Sequence, residues 1–144
     1  MPPTQNSALA PDLVARIRQK LTRQQFMHHI GADLTLIEPG RVEAELSLEL
    51  IHQQQRGFVH GGVIATMADL VAGFAGVTLI PDDYGMVTAD LKVSYLNPGV
   101  GKKIVAKGWV LKAGRRLHFC EAEVWCDDVL IAKATATMAV IEPQ

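Results

Sequence analysis

The sequence predicts an α+β domain in which an antiparallel sheet wraps around one long central helix. Three observations predict it. Residues 61–79 are apolar on almost every side, with Thr66, Asp69 and Thr78 as the few polar exceptions. A helix without a polar stripe must be covered on most of its faces. The segments before and after it alternate with a period of two, as half-buried strands do. These segments end at turn signals, among them Pro39-Gly40, Asn97-Pro98-Gly99, Ala113-Gly114 and Asp127-Asp128, which join antiparallel neighbours.

The elements follow in order. Residues 1–10 are rich in proline and polar residues and read as a flexible tail, leaving 11–144 as a single domain. A helix starts at Pro11, which fits a first helical turn, and runs to about Arg23 with Leu13, Val14, Ile17 and Leu21 at helical spacing. A short turn from Phe26 to Ile30 stops at Gly31. Residues 32–38 and 41–48 form a hairpin with one wet face. The segment from His52 to Phe58, with three consecutive glutamines and Gly57, is a loop. After the long helix, four strands (about 87–96, 103–112, 115–126 and 129–141) form an antiparallel meander.

Composition narrows the function classes. The chain has 144 residues, 49% of them hydrophobic and only 20% charged, so it can fill a core and is not a disordered chain. Fourteen Lys and Arg against fifteen Asp and Glu leave no basic excess for a nucleic-acid backbone. A near-neutral, aliphatic domain tends to associate with copies of itself. Cys120 and Cys126 have neither a second pair nor a zinc-site spacing, and they read as small buried hydrophobes. No metal site is expected. The N-terminus lacks the basic and apolar regions of a signal peptide. Asp69 in the middle of the longest apolar run argues against a membrane span. A cytoplasmic setting is the resulting expectation.

The chemistry concentrates between Phe58 and Asp69. Gly61 and Gly62 open the helix, where unbonded backbone N–H groups and partial positive charge can polarise a carbonyl. The same pair could merely ease tight packing. Asp69 lies two turns further on, flanked by Ala68, Leu70, Val71 and Ala72. A carboxylate there is costly unless hydrogen-bonded or placed in a cleft. It is therefore a candidate base or nucleophile, with a structural hydrogen bond to a group such as Thr88 as the plainer reading. Eight residues of helix hold Gly61 and Asp69 roughly 12 Å apart, at about 1.5 Å per residue. One carbonyl cannot touch both within one subunit. Antiparallel helices in a two-fold dimer would bring them together.

The pair after His60, the helix to Asp69, the strand Met86-Val87-Thr88-Ala89-Asp90-Leu91 and the ending Tyr95-Leu96-Asn97-Pro98 resemble the PaaI-like branch of the hotdog-fold acyl-CoA thioesterases. The resemblance covers about residues 30–141. It implies a five- to six-stranded antiparallel sheet around a long helix, assembled as a dimer or a dimer of dimers. It implies acyl-CoA as substrate and no cofactor, since coenzyme A is part of the substrate. By position it makes Asp69 the catalytic acid residue, Gly61 the polarising N–H donor and Gln54 the group that orients water or carbonyl. Thr88 supports the water, and His60 holds the thioester end or shapes the loop. A shift of one residue would put Gln53 or Gln55 in place of Gln54. It also implies phosphate binding by Lys112, Arg115 and Arg116 at the Ala113-Gly114 turn, although charged hairpin turns are commonly just solvated. Gly62 and the apolar Phe58, Met67 and Phe74 are expected beside the substrate.

Two other functions fit such a domain. One is a hotdog hydratase or dehydratase, which pairs a catalytic histidine with an acid. The other is a non-catalytic acyl-CoA-binding protein. The order here, His60 followed directly by two glycines with the acid nine residues on, favours the thioesterase, and an intact Asp69 argues against the binding protein.

Overall fold

A computed structural model describes the backbone of residues 3–144 and the side chains from residue 12 onward. Helix α1 spans Pro3–Thr22 and helix α2 spans Gln25–Ile30. Strands β1 (Asp33–Glu38) and β2 (Arg41–Ser47) follow, then a one-turn 3-10 helix, Leu50–His52. Helix α3 covers Gly61–Val77, and strands β3 (Gly85–Tyr95), β4 (Lys103–Ala113), β5 (Leu117–Cys126) and β6 (Val129–Ile141) complete the chain. The first helix therefore begins at Pro3, upstream of its expected start at Pro11. Ser7-Ala8-Leu9-Ala10 offers good helix formers upstream of that proline. Residues 1 and 2 lie outside the described residues.

All six strands form one antiparallel sheet in the order β1-β2-β4-β5-β6-β3. This corrects the four-strand meander. Only β4, β5 and β6 are joined as successive hairpins. Strand β3 lies at the far edge beside β6, and β4 pairs with β2. The segment after Tyr95 is no tight turn. It crosses the end of the sheet, with the Leu96 N–H donating to the Ile131 carbonyl and the Val59 N–H donating to that of Gly99. The hairpin ends elsewhere fall where turn residues allow, with Gly40 at φ +75° and Asp127 at φ +51°.

Helix α3 lies across the inner face of the sheet. Met67, Ala68, Val71, Ala72 and Ala75 are fully buried there. Opposite them, Val42, Ala44, Ile104, Ala106 and Val124 supply the sheet's half of the core. The closest approach is at Gly108 on β4. A Cβ on that residue would stand 2.5–2.8 Å from the backbone of Val71 and Ala72. Backbone cannot give way as a side-chain tip can. We expect Gly108→Ala to lower the unfolding free energy by about 1–3 kcal/mol, the usual cost of overpacking. Thermal unfolding measures it, and an unchanged midpoint would show that the helix does not sit this close to the sheet.

The two cysteines are buried and not joined by a disulfide. Burial pushes the Cys120 thiol up to about 11. Burial and the neighbouring Asp127 push Cys126 up as well. Both groups are protonated packing residues. No helix among the described residues is long and apolar enough to cross a membrane, and no cluster of three or more His, Cys, Asp or Glu among them could hold a metal ion.

Candidate active site

The start of α3 is built by two histidines. His52 is fully buried, and its ring and carbonyl tie three segments together. Its Nδ1 accepts from the Glu49 N–H at 2.9 Å, its Nε2 donates to the Ile30 carbonyl at 2.7 Å, and its own carbonyl accepts from the His60 N–H at 2.8 Å. The loop is thus anchored to the end of α2 before it reaches the helix. His60 is the N-cap residue of α3, and its Nδ1 accepts from the Gly62 N–H at 2.8 Å. The Val63 N–H donates to the His60 carbonyl at 2.9 Å. Gly61 is left as the first-turn residue whose N–H meets no acceptor among the described residues. Of the two glycines, geometry leaves Gly61 as the free donor and occupies Gly62 in the cap.

Tyr95, at the end of β3, packs its ring against Gly61 and donates its hydroxyl to the Gly61 carbonyl at 2.8 Å. In the sequence Tyr95 stands only as part of a strand ending. Its half-exposed ring beside a helix N-terminus gives it a positioning role that no spacing rule reveals. Gln54, Phe58, Gly61, Tyr95 and Asn97 line an open cavity of about 340 Å³ at this end of the helix. Of the three glutamines, Gln54 is the one that lines this cavity. Gln53 forms a bridge with Val59, and Gln55 is exposed. Gln54 is partly buried on the cavity wall, where its side-chain carbonyl accepts from the Arg56 N–H.

Asp69 lies on a different cavity, about 140 Å³, formed by α3 with Thr88, Met86 and Met138 of the sheet and Met27 of α2. It is partly exposed. The Thr88 hydroxyl donates to its Oδ1 at 2.6 Å, and Oδ2 has no partner among the described residues. Phe74 lines this cavity. Met67 does not. It is fully buried in the core, because two residues of helix turn it about 200° away from Asp69. Three of the chain's five methionines line this one cavity. The fold gathers them from distant positions, and flexible thioethers suit surfaces that must adapt to variable apolar shapes.

The two cavities share no lining residue. Gly61 and Asp69 therefore line separate cavities of one chain, in keeping with their helical spacing. Lys112, Arg115 and Arg116 are exposed and line neither cavity.

Comparisons with known proteins identify the family and the fold. The family model described as Thioesterase superfamily matches residues 56–133. The chain is 32% identical to the medium/long-chain acyl-CoA thioesterase YigI of Salmonella typhimurium, across 89% of this chain and 97% of that protein. It is 29% identical to human acyl-coenzyme A thioesterase 13, across 72% of this chain and 76% of that one. A thioesterase family protein from Silicibacter pomeroyi superposes with a TM-score of 0.86 at 30% identity, over 90% of this chain and 98% of its own. The PaaI protein from the phenylacetic acid degradation operon of Escherichia coli superposes at 0.85 with 14% identity, over 94% and 98%, which shows a shared fold. The chain belongs to the thioesterase superfamily, as a thioester hydrolase with the hotdog fold.

Proposed function

We propose that the protein hydrolyses acyl-CoA thioesters at sites shared between two copies of the chain, each site joining the Asp69 cavity of one copy to the Gly61 N–H of the other. The separation of the two half-sites along one helix carries this reading. Water attacks the thioester carbonyl carbon, and a C–O bond forms. Asp69 takes the water proton at Oδ2, while Thr88 holds Oδ1. The oxyanion accepts a hydrogen bond from the Gly61 N–H. The tetrahedral intermediate then collapses, the C–S bond breaks, and coenzyme A leaves with the proton that Asp69 held. Gln54 orients the attacking water or the carbonyl, and His60 shapes the loop by capping the helix. No cofactor is called for, since coenzyme A arrives with the substrate.

Strand β3 supports the dimer. It is an eleven-residue edge strand whose outer side meets no other strand, and such edges invite pairing. It also carries one residue of each half-site, Thr88 and Tyr95. Both point to the inner face, since their β6 partners Met138 and Ala132 are buried. The bulge between Thr88 and Asp90 sets the register. Two β3 strands paired about a two-fold axis at Lys92 bring Thr88 of one copy opposite Tyr95 of the other, on the same face. Leu117, Phe119 and Ile141 are exposed on the outer face of the sheet, a surface on which two such dimers can pair as a tetramer. The exposed turn with Lys112, Arg115 and Arg116 offers positive charge for the nucleotide phosphates. The reduced thiols fit a cytoplasmic setting.

Release of free coenzyme A thiol from a panel of acyl-CoA thioesters tests the activity, with light scattering on the same sample for the assembly. Turnover by a dimer or tetramer is expected. An active monomer, or no turnover of any acyl-CoA, contradicts the proposal.

A further inference from the structure

His118, on β5, is buried to 2% exposure. Its Nδ1 is buried and has no hydrogen-bond partner among the described residues. Burial lowers its pKa, so the ring is neutral near pH 7. A neutral imidazole both donates and accepts. An orphaned polar atom in a core costs stability and calls for a reason.

Its position supplies one. Register places Thr88, Met138 and His118 side by side across the inner face of β3, β6 and β5. Two strand spacings, roughly 10 Å at about 4.8 Å each, separate Thr88 from His118. Along α3, Gly73 and Gly76 follow Asp69 at intervals that keep them on the same side of the helix. Neither presents a side chain, so the path from Asp69 toward His118 has a bare helix for one wall. The His118 Nδ1 lies 3.1 Å from where a Cβ on Gly76 would stand, and the Met86 sulfur lies closer still to that point. Met86 also lines the Asp69 cavity. Two flexible thioethers, those of Met86 and Met138, thus stand between the cavity and His118, and they can move aside at little cost. The cavity, at about 140 Å³, is close to the size that takes a six-carbon ring in an apolar core.

We propose that this pocket selects acyl groups bearing a hydroxyl at their far end, about six carbons from the thioester, and that His118 is the residue that reads that hydroxyl. The inference rests on the thioester-hydrolysis reading and adds the chemistry of the acyl group. The probes are 6-hydroxyhexanoyl-CoA and heptanoyl-CoA, a pair of nearly equal size with a hydroxyl or a methyl at the tip. The readout is the ratio of their kcat/KM values. The wild-type protein is expected to turn over the hydroxylated thioester at least as efficiently as the apolar one. His118→Leu is expected to lower the ratio about five- to tenfold while heptanoyl-CoA turnover persists. His118→Gln, which keeps a hydrogen-bonding group, is expected to stay within threefold of wild type. A shift under threefold in His118→Leu overturns the proposal. If that variant does not fold, a wild type that rejects the hydroxylated thioester tenfold or more overturns it alone. Hydrolysis of both probes at a ratio that His118→Leu shifts by less than threefold sinks only this inference, whereas hydrolysis of neither, with no other acyl-CoA accepted, sinks the thioesterase reading and this inference with it.

Discussion

Asp69→Asn will lose activity by about 10²–10⁴-fold in kcat with the fold and assembly intact, the range expected for removing a general base. Asparagine keeps the shape of the side chain and an oxygen for the Thr88 hydroxyl, which donates to Oδ1 at 2.6 Å. What it removes is the second oxygen's capacity to take a proton from water. Because the packing is unchanged, the thermal midpoint should stay close to that of the wild type. Coenzyme A release with saturating acyl-CoA measures the loss. Retention of more than a tenth of wild-type kcat would mean that Asp69 does not handle the proton.

Gly61→Pro tests the other half-site. Proline lacks the N–H, and that group is the one donor at the start of α3 left without an acceptor among the described residues. The local backbone tolerates the change. Gly61 is the first residue of the helix, where proline is favoured. His60 before it sits at φ −62° and ψ 135°, a conformation compatible with a following proline. The new Cβ would meet the Tyr95 ring at an ordinary 3.5 Å. Loss of one oxyanion donor costs about 10²–10³-fold in kcat, so that loss is expected with circular dichroism unchanged. Full activity would show that some other donor faces the oxyanion.

Much of this arrangement was legible in the residues, for identifiable reasons. The central helix announces itself by lacking a polar stripe, and Asp69 stands out because a carboxylate there needs a reason. The spacing of Gly61 and Asp69 is fixed by helical rise and needs no tertiary information. Other features depend on long-range pairing. Asn97-Pro98-Gly99 reads locally as a hairpin, but whether β4 pairs with β3 or with β2 is decided by which strand the crossing segment reaches. Met67 was misplaced for a related reason. When a helix is apolar all round, nothing in its pattern distinguishes the core face from the face that lines a cleft. The row of three glutamines gives no register, and Gln54 is singled out only once Gln53 pairs with Val59. Tyr95 and His52 act by holding backbone carbonyls, and any polar aromatic near a turn could do so.

Mixing the two inactive variants tests the shared site most directly. On the proposed shared site, Asp69→Asn and Gly61→Pro chains coexpressed in equal amounts are expected to assemble as homodimers and heterodimers in statistical proportion. Each heterodimer places the intact Asp69 cavity of one chain against the intact Gly61 of the other, and so holds one complete site and one doubly defective site. About a quarter of wild-type activity is expected to return, from two proteins that are each nearly inactive alone. If activity stays at the level of the separate variants, Asp69 and Gly61 serve one site within a single chain, and the account of a site divided between two copies is wrong.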